Sequence, residues 1–277
     1  MLIQRLLTAI VLLLLIAGTL ALGHEAFALL AIVLVSIGIY EWLRLAGIKS
    51  SVVSTVLAAV AGALLWGLDR GVQSPGLRVV LSELALVDWV FVLALLWVVQ
   101  RGRAVVLSPA LNLMLCVVLM SAAWLALMDL SRAGALTLIS ALAVVWVADI
   151  AAYFSGRAWG KRKLADRISP GKTWAGVGGA MGAVVLLATS AAYVWPELPL
   201  FTTQLMQRFA PLYAWGLLVG LVVLAIAGDL FESLLKRQAG VKDSGVVLPG
   251  HGGVLDRIDA LLPVLPALLL IRHFGGL

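Results

Sequence analysis

Carboxylates, basic groups and glycines are concentrated between Ser233 and Asp259, within a chain that is otherwise largely apolar. A long apolar stretch precedes this segment and another follows it. Ionisable residues in or beside membrane spans are costly, so such a cluster is a functional-site hypothesis. Carboxylates suit a hard cation such as Mg²⁺, whereas Lys, Arg and glycine-rich turns suit phosphate. The segment therefore predicts a metal-dependent phosphate reaction at a membrane surface.

Four polar residues at the start of this region share one helix face. Asp229, Glu232, Ser233 and Lys236 are spaced i, i+3, i+4 and i+7. A snorkelling helix end would explain Lys236 and its neighbour Arg237. It does not explain Asp229, because a short carboxylate cannot reach far. We interpret the stripe as the wall of a polar cavity.

The turn at 248–253 contains a proline and three glycines, which predicts a tight turn that leads into a helix beginning around Val254. Free N–H groups at such a helix start would form an anion site. Asp256 and Asp259 would then share a face, and Arg257 could bind a phosphate through two nitrogens. A plain loop capping the last span would explain one acid, but not this whole cluster.

The composition predicts a membrane protein. The chain has 277 residues, of which 63% are hydrophobic and 12% are charged, and its mean hydropathy is +1.10. Soluble domains average about 45–50% apolar and about 25% charged residues. The net charge of +6 does not indicate nucleic-acid binding, because basic residues in membrane proteins mark cytoplasmic loops. The fold class predicted is all-α, a polytopic transmembrane helical bundle.

Nine apolar segments are long enough to be transmembrane helices. They lie near 4–22, 26–44, 52–68, 86–100, 109–128, 134–154, 174–194, 212–231 and 258–274. We interpret the first as an uncleaved helix rather than a signal peptide. Pro263 and Pro266 should bend the last one. Tryptophans near span ends are typical of an interfacial aromatic belt; they include Trp42, Trp66, Trp89, Trp159, Trp174 and Trp195.

The distribution of basic residues predicts the orientation of the bundle. Loops after even-numbered spans hold fourteen Lys and Arg residues, and loops after odd-numbered spans hold four. The positive-inside rule therefore assigns the even loops to the cytoplasm. Two of them, about 155–172 and 236–257, are predicted to be short catalytic loops. We predict an integral protein of a bacterial inner membrane, with a scaffold at 1–132 and the catalytic helices and loops at 133–277.

Other polar and small residues have simpler interpretations. Ala175, Gly178, Gly179 and Gly182 look like a small-residue packing face, either within the chain or at a homodimer contact, and these alternatives stay open. Glu41 and Arg44 are interpreted as an interfacial pair. Asp69, Asp88 and Asp129 are interpreted as loop charges outside the membrane.

Residues 233–259 resemble the phosphatidate cytidylyltransferases, also called CDP-diacylglycerol synthases. The shared order is Ser, Lys-Arg, Lys-Asp, Pro-x-His-Gly-Gly and Asp-Arg-x-Asp. A second block, Asp149-Ile-Ala-Ala-Tyr-Phe-x-Gly followed by Ile168-Ser-Pro-x-Lys-Thr-Trp, is similar as well. This chain has Gly171 and Ala175 where the family usually has Lys and Glu. Residues before about 135 match only in being hydrophobic.

The resemblance implies that CTP and phosphatidate react in the presence of Mg²⁺ to give CDP-diacylglycerol and pyrophosphate. It implies metal ligation by Asp229, Asp256 and Ser233, while a second, monovalent cation stays open. Catalytic roles are expected for Asp229, Asp256, Lys236, Lys242 and Asp243. Substrate contacts are expected from Asp149, Ser169, Lys172, Thr173, Ser233, Arg237, His251, Gly252, Gly253, Arg257 and Asp259.

Three other functions compete with the cytidylyltransferase reaction as interpretations of the sequence. A related lipid kinase, such as a polyprenol or phytol kinase, lacks the Ser-to-Asp signature. A secondary transporter for an organic anion often carries repeats and broken helices in both halves, whereas the dense polar chemistry here is in the second half. The CDP-alcohol transferases have a spacing of acids and glycines that this chain does not show.

Overall fold

The computed structural model describes residues 2–71, 75–250 and 252–277, which form eleven helices and a small two-stranded sheet. The helices before the sheet are α1 (Leu2–Leu22), α2 (His24–Leu45), α3 (Ser51–Gly71), α4 (Pro75–Gln100), α5 (Pro109–Ala133) and α6 (Ala135–Trp159). The strands are β1 (Lys163–Ala165) and β2 (Ser169–Thr173). The helices after them are α7 (Trp174–Val194), α8 (Phe201–Arg208), α9 (Pro211–Gln238), α10 (Leu255–Ile258) and α11 (Leu261–Gly275).

The predicted spans fall on these helices. Eight helical segments in the described part of the chain are long and apolar enough to cross a membrane, with α10 and α11 counted together. The first predicted span coincides with α1, a further apolar helix of 21 residues. The prediction of an all-α polytopic bundle is confirmed, and the chain is an integral membrane protein.

Helix α4 begins at Pro75, well before the span predicted near 86–100. Its first turn carries Arg78, which is buried and donates to Asp69 Oδ1 at 2.9 Å. Arg132 at the end of α5 pairs with the same carboxylate. The interpretation of Asp69 as a loop charge was wrong, because two guanidinium groups make burial of this carboxylate tolerable.

The last span is interrupted between α10 and α11, at Asp259 and Ala260. Pro263 contributes to this break, since it has no N–H and its ring crowds the carbonyl four residues earlier. Asp259 and Ala260 keep right-handed helical backbone angles, so the bend itself stays a prediction. A Cβ added to Gly228 would collide with the Asp259 carbonyl oxygen. The glycine thus lets the broken helix touch α9 directly, beside Asp229.

Aromatic residues fill the core of the bundle rather than only its rim. Phe231 of α9 makes edge-to-face contacts with Trp42 and Trp89, at centroid distances of 5.9 and 5.8 Å. Both tryptophans are only 1% exposed, so their assignment to an interfacial belt was wrong. Trp159 and Trp195 are exposed, as the belt interpretation expects.

Helices α6 and α7 approach closely because glycines line their contact. A Cβ at Gly179 would collide with Ser155 Oγ, and one at Gly176 would lie 2.9 Å from the Ala152 carbonyl oxygen. Gly178 and Gly182 have no neighbouring atom within 4 Å of such a Cβ. Only part of the predicted small-residue face therefore packs within the chain, and the homodimer stays a prediction.

The loops after even-numbered spans gather at one end of the bundle. Gln238 at the end of α9 donates to the Val105 carbonyl at 2.9 Å, and Gln100 donates to Asp166. The hydrogen bond from Gln100 lowers the pKa of the Asp166 carboxyl. Thr8 of α1 donates to the Pro249 carbonyl at 2.9 Å. The predicted alternation of the loops between two ends of the bundle agrees with these contacts.

Candidate active site

A polar cavity of about 520 Å³ opens between α6, the strand pair and α9, and we call it the hairpin cavity. Its charged and hydroxyl-bearing lining includes Asp149, Tyr153, Arg157, Lys163, Ser169, Lys172, Thr173 and Asp229. The second block of the resemblance therefore meets Asp229, which lies four residues before the first block. Helix α6 supplies Asp149, strand β2 supplies Lys172, and α9 supplies Asp229.

The hairpin region, residues 160–173, folds into an antiparallel strand pair with Lys163 opposite Thr173. Thr173 also caps α7, since its hydroxyl accepts a hydrogen bond from Gly176 N at 3.1 Å. Lys172 Nζ lies 2.5 Å from Asp229 Oδ2. Pairing fixes the backbone of both strands, and one lysine of each strand, Lys163 and Lys172, lines the cavity.

The predicted stripe on α9 is a chain of polar contacts. Ser233 Oγ lies 3.4 Å from Asp229 Oδ1. Lys236 Nζ donates to Glu232 Oε2 at 2.5 Å and to Asp256 Oδ1 at 2.6 Å. Helical spacing aligned these groups, but the contact with Asp256 depends on how α10 packs against α9. The prediction that the four side chains share one face is confirmed.

The glycine loop, residues 239–253, holds Asp256 in place. Gly253 N and Ser244 N donate to Asp256 Oδ2 at 2.8 and 3.1 Å. A Cβ at Gly252, whose φ is +84°, would lie 2.6 Å from the same oxygen. The glycine therefore both allows the left-handed turn and makes room for the carboxylate.

The helix start after the glycine loop does not present free amides. Val254 N and Leu255 N donate to Glu41 at 3.2 and 2.7 Å, and Gly253 N is taken by Asp256. The prediction of an open anion site there was wrong, because carboxylates of the protein already fill it. Glu41 is also not paired with Arg44, which instead donates to the Ile48 and Lys49 carbonyls.

A second cavity, of about 340 Å³, lies between α1, α2, α5 and α6, and we call it the α1–α2 cavity. Its walls are mostly apolar, with Phe27, Leu30 and Trp146 among them. Asp256, Arg257 and Asp259 line its polar end. Asp149 lines both cavities, so this residue borders both spaces.

Several acidic side chains lie close to Lys172 and Lys236. Asp149 lies within electrostatic range of Asp229, and Asp259 does too. Glu232 is 3% exposed, and its Oε1 is buried without a hydrogen-bond donor among the described residues. Glu232 and Asp256 are neighbours, since both carboxylates accept a hydrogen bond from Lys236 Nζ. An orphaned carboxylate oxygen beside a second acid fits a hard cation.

These residues suit a Mg²⁺ site that is open to water and substrate, rather than one in which protein side chains supply every ligand. Among the described residues, no group of three or more His, Cys, Asp or Glu side chains is arranged to hold a metal ion. Mg²⁺ usually takes one or two carboxylates and completes its shell with water and substrate phosphates. Asp229 contacts Ser233, whereas Asp256 contacts Lys236 and the glycine loop. The metal site expected at Asp229, Ser233 and Asp256 stays a prediction.

Seven of the predicted site residues that the structure describes line neither cavity. Four of them contact Asp229 or Asp256 instead: Ser233, Lys236, Gly252 and Gly253. Arg237, Lys242 and Asp243 are exposed at the end of α9 and in the glycine loop. Their roles stay predictions. His251 lies outside the described residues.

The sequence interpretation assigned no role to several residues that the fold brings to the site. Arg157, Lys163 and Tyr153 line the hairpin cavity, and Glu232 contacts Lys236. Helical spacing from Asp149 could have identified Tyr153 and Arg157, at i+4 and i+8. Glu41 gave no such signal, because its partners are more than 200 residues away along the chain.

Comparison with known proteins identifies the family of the chain. The model of the cytidylyltransferase family matches residues 3–274. The chain belongs to this family. It is therefore a nucleotidyltransferase. The phosphatidate cytidylyltransferase of Pseudomonas aeruginosa is 39% identical over the full length of both chains. Proteins of the same name from Haemophilus influenzae and Brucella suis are 36% and 38% identical, covering 96% and 99% of this chain and 96% and 93% of their own.

Proposed function

We propose that the protein transfers CMP from CTP to phosphatidate, giving CDP-diacylglycerol and pyrophosphate, in a Mg²⁺-dependent reaction of phospholipid synthesis. The observation that carries the proposal is that Asp149 borders two cavities, one lined by basic side chains and one with mostly apolar walls. The hairpin cavity offers lysines and an arginine to a polyphosphate. The α1–α2 cavity offers apolar walls and a polar end to a lipid with a phosphate head.

The chemistry of the substrates suits this division. Each acyl CH₂ exposed to water costs about 0.8 kcal/mol, so phosphatidate should stay among apolar helices. CTP carries several negative charges, which Arg157, Lys163 and Lys172 would offset. Two substrates bound in adjoining cavities would bring the lipid phosphate close to the nucleotide.

The proposed reaction needs no protein nucleophile. An oxygen of the phosphatidate phosphate attacks the α-phosphorus of CTP, and the bond from that phosphorus to the oxygen bridging to the β-phosphate breaks. Pyrophosphate leaves with that bonding electron pair. Positioning and charge neutralisation then dominate, as in phosphoryl transfer generally. Asp229, Asp256 and Ser233 would hold Mg²⁺, which when bound neutralises charge on the phosphate oxygens.

We also propose that the site faces the cytoplasm of a bacterium, from its inner membrane. The loops that surround the hairpin cavity carry most of the basic residues, which the positive-inside rule assigns to the cytoplasm. CTP is a cytosolic nucleotide, so an opening on that side would supply it directly. A cysteine placed in the glycine loop and labelled from one side of sealed vesicles tests this orientation.

Purified protein in detergent, given labelled CTP, phosphatidate and Mg²⁺, tests the reaction. We expect a labelled CDP-lipid and an equal amount of pyrophosphate, and loss of both on addition of a chelator. If no CDP-lipid forms while reconstituted protein carries a labelled organic anion across liposomes, the chain is a transporter instead.

A bulky residue in the α1–α2 cavity tests the assignment of the lipid. Leu30 lines this cavity, whereas its neighbour Leu29 is 56% exposed on the outside of α2. We expect Leu30→Trp to raise the KM for phosphatidate about tenfold, roughly the 1–3 kcal/mol cost of overpacking, and to leave the KM for CTP unchanged. Leu29→Trp is the control. Equal effects of the two variants, or a rise confined to the KM for CTP, would contradict the assignment.

A further inference from the structure

Glu41 is a buried carboxylate of α2 that belongs to neither polar loop. It is 1% exposed and accepts three hydrogen bonds, from Ser244 Oγ at 3.0 Å, Val254 N at 3.2 Å and Leu255 N at 2.7 Å. Hydrogen bonds to an ionised acceptor are about twice as strong as neutral ones. One carboxylate therefore joins both ends of the segment from Ser244 to Leu255.

Two glycines of this segment fit the shape of the Glu41 side chain. A Cβ at Gly245 would collide with Glu41 Oε1, and one at Gly253 would collide with Ser244 Oγ and Glu41 Oε2. The backbone at both positions lies directly against the carboxylate. The loop is thus built around Glu41, and its glycines are required by close approach as well as by turn geometry.

The contacts of Glu41 continue to Asp256 through Ser244. Ser244 Oγ donates to Glu41 and accepts from Asp256 N at 3.3 Å, while Ser244 N donates to Asp256 Oδ2 at 3.1 Å. Asp256 in turn accepts from Lys236. Displacement of Glu41 would therefore move the carboxylate that we propose as a metal ligand.

We infer that Glu41 is a positioning residue, which fixes the glycine loop so that the Asp256 carboxylate points at Lys236. Glu41 lines neither cavity, so it acts through Ser244 and Asp256 without touching a substrate. The catalytic part of this inference rests on the proposed function. The structural part, that Glu41 orders residues 244–256, does not.

Glu41→Gln tests the inference, because it keeps the size of the side chain and removes its charge. In the full chain in detergent without ligands, we expect hydrogen–deuterium exchange of the 244–256 peptide to rise at least tenfold, with other helices unchanged. Turnover should fall at least tenfold, with the KM for CTP within twofold, since the hairpin cavity has no contact with Glu41. Glu83→Gln, an exposed glutamate of α4, is the control.

Two further variants keep the test decisive if Glu41→Gln folds poorly. Glu41→Asp retains the charge but shortens the side chain, and we expect it to keep more turnover than Glu41→Gln. Gly245→Ala should loosen the same peptide in the native background, but should add nothing to Glu41→Ala, which removes the atoms it would strike.

The outcomes separate this inference from the proposed function. Unchanged exchange at 244–256 in Glu41→Gln, or exchange that rises equally throughout the protein, would overturn the positioning role. Local loosening with native turnover would overturn its catalytic part. Failure of the proposed function would instead appear as absence of CDP-lipid from the unaltered protein.

Discussion

The hairpin region and the glycine loop look alike in sequence but are built in opposite ways. Both are rich in small residues and follow an even-numbered span, but the hairpin region holds five Lys and Arg residues and the glycine loop only Lys242. The hairpin pairs its backbone with itself and presents Lys163 and Lys172 to a cavity. The glycine loop gives two amides to Asp256 and the Ser244 hydroxyl to Glu41, and it leaves Lys242 exposed. The hairpin region therefore offers side chains for binding, whereas the glycine loop uses its backbone amides to hold Asp256 in place.

The largest effects should come from Asp229 and Asp256, the two aspartates that we propose as metal ligands. We expect Asp229→Asn and Asp256→Asn each to lower turnover about 100- to 1000-fold, the usual cost of removing a preorganised electrostatic group. Each variant should remain folded, as judged by its elution and thermal unfolding in detergent. Glu25→Gln, at the far end of α2, is the control. Native turnover in either variant would remove that aspartate from the proposed metal site.

A smaller effect should distinguish side chains within the hairpin region itself. Lys172 lines the hairpin cavity and pairs with Asp229, whereas Lys161 is exposed and lines neither cavity. Loss of a hydrogen bond between charged groups costs about 1.5–3 kcal/mol. We expect Lys172→Ala to lower kcat/KM for CTP roughly 10- to 150-fold and Lys161→Ala to change it less than threefold. Similar losses in both would mean that general charge, rather than presentation by β2, binds the nucleotide.

The smallest effect should come from the exposed lysine of the glycine loop. Lys242 can attract CTP only through solvent. At about 0.15 M salt, exposed charges more than about 8 Å apart are largely screened from each other. We expect Lys242→Ala to weaken the use of CTP about two- to threefold at low ionic strength and not at all at high ionic strength. Lys49→Ala is a matched control on another loop at the same end. A loss that persists in high salt would show a direct contact, and would make the glycine loop a second binding region.

The polar stripe on α9 could be predicted from the sequence because helical geometry is local. Residues three and four apart must share a face, and the contacts of Lys236 with Glu232 and of Ser233 with Asp229 follow from that rule. The spans could be predicted for a similar reason, since length and hydropathy are local properties. The start of α4 was missed because Arg78 looks like a loop residue until its partner Asp69 is known.

The network around Glu41 could not be predicted, because its members are far apart along the chain. Glu41 and Ser244 are 203 positions apart, and neither residue type nor spacing connects them. The prediction of an interfacial aromatic belt was wrong at Trp42 and Trp89 for the same reason. Tryptophan is equally suited to an interface and to a core, and the position of Phe231 between the two rings decided the outcome.

By itself the sequence determined that this protein is a helical membrane enzyme of the cytidylyltransferase family, with acids and bases concentrated near two loops. Those conclusions depend on hydropathy, helical period and the order of residue types, all of which are written along the chain. The tertiary structure decided which groups meet: Lys172 with Asp229, Lys236 with Asp256, and Glu41 with the glycine loop. The reason is physical, since a buried carboxylate must find its hydrogen-bond donors in space, wherever along the chain they lie.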